Sequence, residues 1–270
     1  MSFKISLSKL VSVAFCIACS APVFGWGRTA HNAIAFIAEQ EISERTKTGL
    51  SYYLGSGSIV QYAMWMDEMR KSPQHVGTLE GHSFAVDGNC DVLLTETPFS
   101  KDPSRRDDGL YGFLSMMDSL KNGQYKTLPK SQVSRALKVI IHLVGDYHCP
   151  SHIRYPDSMV NRIIFNGRNI KYHSFWDSAL IEYGHGWSFS EYAYVLDNIS
   201  KREKYHLQEG DIVSWCEETA AICAPIHDWV SEGGVFDKYL IYSEALPLAD
   251  MMIQRAGYRL AKVLDDIFRY

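Results

Sequence analysis

Apolar residues recur at intervals of three and four in several stretches of this 270-residue chain, which is the spacing of one face of an α-helix. The clearest stripe runs from Val133 to Val144, and Ser131 stands where a helix N-cap would stand. The same spacing occurs in three further stretches: one beginning near Ala30, one from Trp215 to Cys223 and one from Met252 to Ile267. Helices therefore dominate the predicted secondary structure.

One segment has the composition of a β-hairpin. The stretch NRIIFNGRNIKY places apolar residues on both sides of Asn166 and Gly167, a dipeptide that favours the tight turn of a two-residue hairpin. We find no linker, low-complexity segment or internal repeat in the sequence. The sequence predicts a mainly α fold, with a single α-helical domain and one small β-hairpin.

The first 25 residues predict a signal peptide rather than part of the folded domain. Two lysines precede an apolar run that ends in small residues, and cleavage is expected after Gly25. The run is too short to span a bilayer comfortably, and a lipid anchor at Cys19 is the weaker alternative. We expect a mature chain of residues 26–270 that has no membrane span and is exported, to the periplasm or as a secreted protein.

Net charge adds one constraint on partners. The formal charge is −4, and removal of two lysines with the signal peptide makes it −6. A negative surface argues against direct attraction to nucleic acid, but bound divalent cations would reverse the charge locally. No sequence pattern indicates an oligomeric state, so we expect a monomer by default.

Histidine and aspartate are concentrated in HLVGDYHCPSH, at the end of the clearest apolar stripe. His142 and Asp146 are four residues apart and share a helix face, and His152 follows after a break. His173 and Asp177 repeat the spacing of four. One such pair alone is usually a surface hydrogen bond, but two pairs with a third histidine favour a metal site. Imidazole and carboxylate donors suit zinc.

The expected amino terminus adds further donors. After cleavage at Gly25, the α-amino group and carbonyl of Trp26 and the imidazole of His31 could reach one cation. That arrangement requires removal of the signal peptide at this one bond. The four cysteines that remain form no CxxC pair, so a thiolate zinc finger is not expected.

With these residues the chain resembles the zinc-dependent single-strand-specific nucleases of fungi, plants and bacteria, the S-one/P-one nuclease family, which is related to bacterial phospholipase C. The resemblance covers essentially the whole mature chain. Its motifs are the initial Trp26 with His31, the W-x-D-x-x-R segment of Trp65, Asp67 and Arg70, then His82, the H-x-x-x-D-x-x-x-x-x-H of His142, Asp146 and His152, the HSFWD of His173 and Asp177, and the final AGYRLAKVL.

The resemblance implies three zinc ions in a cleft of a largely α-helical fold. One ion would be held by Asp67, His82, His142 and Asp146, a second by His152, His173 and Asp177, and a third by Trp26, His31 and the bridging Asp146. It also implies hydrolysis of single-stranded DNA or RNA to 5′-nucleotides, with 3′-nucleotidase activity as a companion.

Three catalytic residues follow from the same resemblance: Arg70, Asp146 and an aspartate after the ligand histidine. Here the chain departs from the family pattern, because Ala85 occupies that aspartate position. Asp87, two residues later, is the candidate replacement. The segments that would bind substrate also differ, and Phe84, Tyr155 and Asn161 are the candidates in this chain.

The cysteines leave two questions open. Cys149 stands where the family commonly has glutamine, and a zinc thiolate is not expected there because the implied ligand set is complete. The resemblance implies a disulfide in which Cys90 is the expected partner of Cys223, with free thiols as the alternative.

Two rival functions remain at this point. A phospholipase C-like phosphodiesterase would keep the metals, but the spacing of the ligands fits it less well. A non-catalytic zinc-binding surface protein is the other rival, and Ala85 is the feature that keeps it open.

Overall fold

The computed structural model describes residues 26–69, 72, 81–94, 109–157 and 160–270. The predicted signal peptide and Arg70 lie outside the described residues. The helices are α1 (Arg28–Glu41), α2 (Glu44–Leu54), α3 (Trp65–Met69), α4 (Leu110–Leu120), α5 (Lys130–Asp146), α6 (Tyr172–Ser174), α7 (Leu180–Gly184), α8 (Phe189–Leu196), α9 (Lys201–Leu207), α10 (Ile212–Cys223) and α11 (Leu246–Phe268). The strands are β1 (Phe84–Ala85), β2 (Ile153–Arg154), β3 (Arg162–Phe165), β4 (Arg168–Lys171) and β5 (Val235–Phe236).

The mainly α prediction is confirmed, since each of the four apolar stripes lies within a helix: α1, α5, α10 or α11. The helix α5 begins two residues earlier than predicted. Pro129 rather than Ser131 precedes the first helical residue, and it makes no side-chain cap. Its backbone is extended, with φ −55° and ψ 138°, as is typical of the residue before a helix. Among the described helices, none is long and apolar enough to cross a membrane.

The predicted hairpin is present as β3 and β4, paired antiparallel from Arg162 opposite Lys171 to Phe165 opposite Arg168. Asn166 and Gly167 both have positive φ, 48° and 72°, as a type I′ turn requires. β5 pairs in parallel with β3 and makes a three-stranded sheet. Two residues are too few to show an alternating pattern, so β5 could not be read from the sequence.

A second short pairing bears directly on the candidate site. β1 and β2 are parallel, with Phe84 opposite Ile153 and Ala85 opposite Arg154. The residues just before them are therefore brought together, which places His82 beside His152 although they are far apart in the chain. The contact between His82 and His152 forms only in the tertiary structure, so neither segment contains a sequence pattern that predicts it.

Close helix packing sets the depth of the site. A Cβ added to Gly145 of α5 would lie 3.1 Å from Nδ1 of His31 on α1, and one added to Gly257 of α11 would lie 2.7 Å from Cγ2 of Ile37 on α1. Glycine permits this approach because it has no side chain. As a result α1 lies tightly between α5 and α11, and His31 is held against the end of α5.

Arg259 of α11 is buried and holds several segments together. Its Nε donates to the carbonyl of Leu207 at 2.9 Å, Nη1 lies 3.0 Å from Nε2 of His148, and Nη2 donates to Glu218. Nδ1 of His148 donates to the carbonyl of Val144 at 2.7 Å. Burial and the charge of Arg259 lower the pKa of His148 to about 3, so this imidazole stays neutral and accepts from the guanidinium.

We expect Arg259→Ala to lower the free energy of unfolding by about 2–4 kcal/mol. Breaking a fully buried ion pair costs about 3–5 kcal/mol, and the loss is reduced here because the Glu218 side chain is 39% exposed. Chemical denaturation monitored by circular dichroism measures the change. Arg269→Ala is the matched control, because Arg269 forms an exposed pair with Asp266 and should cost less than about 0.5 kcal/mol. Equal effects of the two variants would contradict the assignment of Arg259.

Candidate metal centre

The last turn of α5 carries two polar side chains into the protein interior. His142 and Asp146 are both 0% exposed. Oδ2 of Asp146 lies 2.8 Å from Nδ1 of His82 and 3.1 Å from Nε2 of His142, and Oδ1 lies 3.2 Å from Nε2 of His31. One buried carboxylate is therefore surrounded by three imidazoles from three parts of the chain.

Asp67 of α3 completes this half of the cluster. Its Oδ1 is 3.7 Å from both Nδ1 of His82 and Nε2 of His142. Two overlapping groups have donor atoms within 4.8 Å of one another and could hold a cation: His31 with His142 and Asp146, and Asp67 with His82 and His142.

The second half of the cluster contains His152, His173 and Asp177. Nε2 of His173 lies 3.1 Å from Oδ2 of Asp177, and Nε2 of His152 lies 3.7 Å from Oδ1 of Asp177. The two imidazoles are stacked with centroids 4.9 Å apart. Nδ1 of His152 is also 3.8 Å from Oδ1 of Asp146, so the two halves are continuous.

Main-chain carbonyls fix the orientation of three of these imidazoles. Nδ1 of His142 lies 2.7 Å from the carbonyl of Ala63, and Nδ1 of His152 lies 2.6 Å from the carbonyl of His82. Nδ1 of His173 lies 3.1 Å from the carbonyl of Ser151. Each contact directs Nε2 towards the carboxylates, as is usual for histidines that bind metals.

The cluster is electrostatically costly without a cation. Burial lowers the pKa of His31 to about 4 and of His152 to about 3. Burial also opposes protonation of His142, but the charge of Asp146 prevails and raises its pKa to about 9. Burial raises the pKa of Asp177 to about 6. A cation bound by His142 therefore competes with a proton for this imidazole.

The geometry fits a metal better than a hydrogen-bonded network. Within the described structure, both oxygens of Asp146, both ring nitrogens of His31 and Nε2 of His152 are buried without a hydrogen-bond partner. Such atoms are costly to bury unless another group satisfies them. Because they are nitrogen and oxygen donors that converge within a few ångströms, they suit zinc.

The start of the predicted mature chain lies at the same place. Trp26 is 0% exposed, and the amide of Gly27 donates to the carbonyl of Asp177. A Cβ on Gly27 would lie 2.8 Å from that carbonyl, so the first residues pack closely against the segment that carries Asp177. The chain next to Trp26 therefore packs against the segment that carries Asp177, and the role of Trp26 as a ligand stays a prediction.

Asp87, the candidate catalytic aspartate, forms hydrogen bonds within its own loop. Oδ1 of Asp87 accepts hydrogen bonds from the main-chain N–H groups of Asn89 at 2.8 Å and Asp91 at 3.0 Å. The carboxylate of Asp87 therefore closes a turn. An aspartate followed by glycine and asparagine is a common turn sequence, and this signal could have indicated the role. The assignment of Asp87 as a catalytic residue stays a prediction. Arg70 lies outside the described residues.

The three substrate-binding candidates lie in different environments. Phe84 is 0% exposed and packs edge-on against Tyr147 with ring centroids 5.9 Å apart, so in this structure its ring belongs to the core and does not face a substrate. The hydroxyl of Tyr155 donates to the carbonyl of Ala220 at 2.6 Å, which ties it to α10. Asn161 is exposed beside the hairpin, where its main-chain N–H donates to Oε2 of Glu232 at 2.6 Å.

Cys90 and Cys223 are free thiols in the structure, as are Cys149 and Cys216. The pairing implied by the family resemblance is therefore not formed here. A disulfide needs a specific distance and direction between two Cβ atoms, which the spacing of cysteines along the sequence cannot supply.

Comparison with known proteins agrees with the geometry of the cluster. A family model described as S1/P1 Nuclease matches residues 26–269. Nuclease S1 of Aspergillus oryzae is 23% identical over 90% of this chain and 92% of its own length. Endonuclease 2 of Arabidopsis thaliana is 24% identical over 91% of each chain, and Nuclease P1 of Penicillium citrinum is 23% identical over 90% of this chain and 97% of its own.

Proposed function

The chain belongs to the S1/P1 nuclease family, and we propose that it is an exported, zinc-dependent hydrolase that cleaves phosphodiester bonds in single-stranded DNA or RNA to give 5′-nucleotides. The observation that carries this proposal is the convergence of three buried imidazoles on the carboxylate of Asp146, at distances of 2.8–3.2 Å. Removal of the phosphate from 3′-nucleotides is a companion activity of the same proposed site.

Three groups of residues would hold the zinc ions. Support comes from the cation-sized groups around His142 and Asp146 and from the adjacent pair of His173 and Asp177. The proposed ligand sets are Asp67, His82, His142 and Asp146 for one ion, His152, His173 and Asp177 for a second, and Trp26, His31 and Asp146 for a third. Bound zinc supplies Lewis-acid stabilisation of the phosphoryl group and lowers the pKa of coordinated water.

The side chains contribute position and charge. Asp146 holds three imidazoles in one place, and its burial keeps bulk water away from the carboxylate. The carbonyls of Ala63, His82 and Ser151 keep Nε2 of their histidines directed at the cluster. We assign no side-chain nucleophile, because the proposed reaction needs only activated water. Arg70 is proposed to stabilise charge on the phosphoryl group.

The rival functions make different predictions about products. We expect protein expressed with its own signal peptide to release 5′-mononucleotides from single-stranded DNA or RNA, and to act less on duplex DNA. It should not hydrolyse phosphatidylcholine vesicles. Lipid hydrolysis without nucleotide release would favour the phospholipase alternative, and neither activity in zinc-loaded protein would favour a non-catalytic zinc-binding protein.

A further inference from the structure

Ser151 contacts both members of the His173–Asp177 pair, although it is not among the proposed metal ligands. Its main-chain carbonyl lies 3.1 Å from Nδ1 of His173. Its side-chain hydroxyl donates to Oδ1 of Asp177 at 2.7 Å. One residue thereby holds the imidazole through its backbone and the carboxylate through its side chain, so a substitution can separate the two contacts.

Cys149 is a second donor to the same oxygen. Its Sγ lies 3.6 Å from Oδ1 of Asp177 and 3.1 Å from the hydroxyl of Ser151, and its side chain is 0% exposed. Oδ1 of Asp177 therefore receives two donors. The other oxygen, Oδ2, faces Nε2 of His173 at 3.1 Å and stays available to a cation.

Local structure explains why Ser151 is so placed. Pro150–His152 forms a short 3-10 turn. Within this turn the hydroxyl of Ser151 faces Asp177, and the imidazole of the ligand candidate His152 faces the cluster. Phe175–Ala179 is a π-helical segment between α6 and α7, and it carries Asp177 into the same space. Neither short segment is long enough for its side-chain directions to be read from sequence periodicity.

We propose that Ser151 is a positioning residue for the cation bound by His152, His173 and Asp177, with Cys149 as an auxiliary hydrogen-bond donor. The proposal rests on the metal binding put forward under the proposed function. The hydroxyl of Ser151 holds Asp177 in one rotamer, with Oδ2 turned to the cation. Without the hydroxyl of Ser151, the carboxylate of Asp177 must lose its rotational freedom when the cation binds. The affinity of the site for the cation therefore falls.

The same atoms allow a different role for Cys149, because its Sγ also lies within 4.8 Å of ligand atoms of His152 and Asp177. As a thiolate it would bind the cation directly. The contacts favour the donor role, since the thiol lies beside an oxygen of Asp177 that already accepts from Ser151. A cobalt-substituted protein distinguishes the two, because cobalt thiolates have an intense charge-transfer absorption that cobalt bound by nitrogen and oxygen lacks.

The test compares Ser151→Ala with wild-type protein in chelator-competition titrations with zinc and with cobalt. We expect one ion to bind about 10–100-fold more weakly, with the other ions unaffected, because losing an outer contact of a ligand has effects of this size. Ser151→Thr keeps the hydroxyl and should restore most of the affinity. Ser178→Ala is the control: Ser178 is adjacent to Asp177 in the chain, but its hydroxyl is 3.5 Å from the carbonyl of Ser174.

Three results would overturn the proposal. The first is unchanged affinity in Ser151→Ala, which would leave the proposed function standing. The second is a thiolate charge-transfer band in cobalt-loaded wild-type protein that disappears in Cys149→Ala. The third is wild-type protein that folds but binds no zinc or cobalt, which would remove the proposed function as well.

Discussion

Asp146→Asn should remove most metal binding and nearly all nuclease activity. The substitution keeps the volume of the side chain but removes the charge that faces His31, His82 and His142 at 2.8–3.2 Å. Loss of one charge from a buried set costs about 3–5 kcal/mol, so we expect a fall of roughly a thousandfold in affinity and at least that in turnover. Zinc content by mass spectrometry and nucleotide release on the same sample measure both effects.

Asp250→Asn is the matched control for this experiment. Asp250 also pairs with a histidine, His185, at 3.1 Å, but its side chain is 23% exposed and lies outside the cluster. We expect its zinc content and activity to match those of wild-type protein. Activity within about threefold of wild type in Asp146→Asn would contradict the central role of this carboxylate.

The second large effect concerns the amino terminus. A chain that begins at Gly25 rather than at Trp26 should bind one zinc fewer and lose at least about a hundredfold in activity, since one catalytic metal contributes several kcal/mol. Gly27 packs closely against the carbonyl of Asp177, which fixes the position of the neighbouring Trp26. An added Gly25 converts the α-amine of Trp26 into an amide, whose nitrogen has no lone pair to donate to a metal.

One glycine added after Tyr270 is the control, because that residue is 54% exposed at the other end of the chain. Intact-mass analysis confirms where each sample begins. If the Gly25 chain and the Trp26 chain bound equal zinc and had equal turnover, the α-amino group would not be a ligand.

Much of this architecture could be predicted from the sequence, for reasons visible in particular residues. The stripe from Val133 to Val144 has the helical period, and burial of that stripe forces His142 into the interior on the same helix. Asn166 and Gly167 favour the one turn that needs two positive φ values. The helical stripe and the turn could be predicted because each depends only on residues that are close together in the chain.

Other features were not predicted, and most of them depend on contacts between distant segments. Phe84 was a candidate for substrate binding, but its two-residue strand pairs with β2 and its ring lies in the core. Asp87 was named from the sequence as a catalytic candidate, and the turn that its carboxylate closes was not predicted. Ser151 gave no signal, because its importance depends on how the π-helical segment returns Asp177 to it.

The number of zinc ions per chain tests the central claim most directly. The sample is wild-type protein whose mature amino terminus is confirmed as Trp26, and the readout combines zinc content with anomalous X-ray scattering at the zinc edge. We predict three zinc sites, located at the groups around Asp67, His31 and Asp177. Fewer than two ions in correctly processed, folded protein would contradict the proposed trinuclear centre.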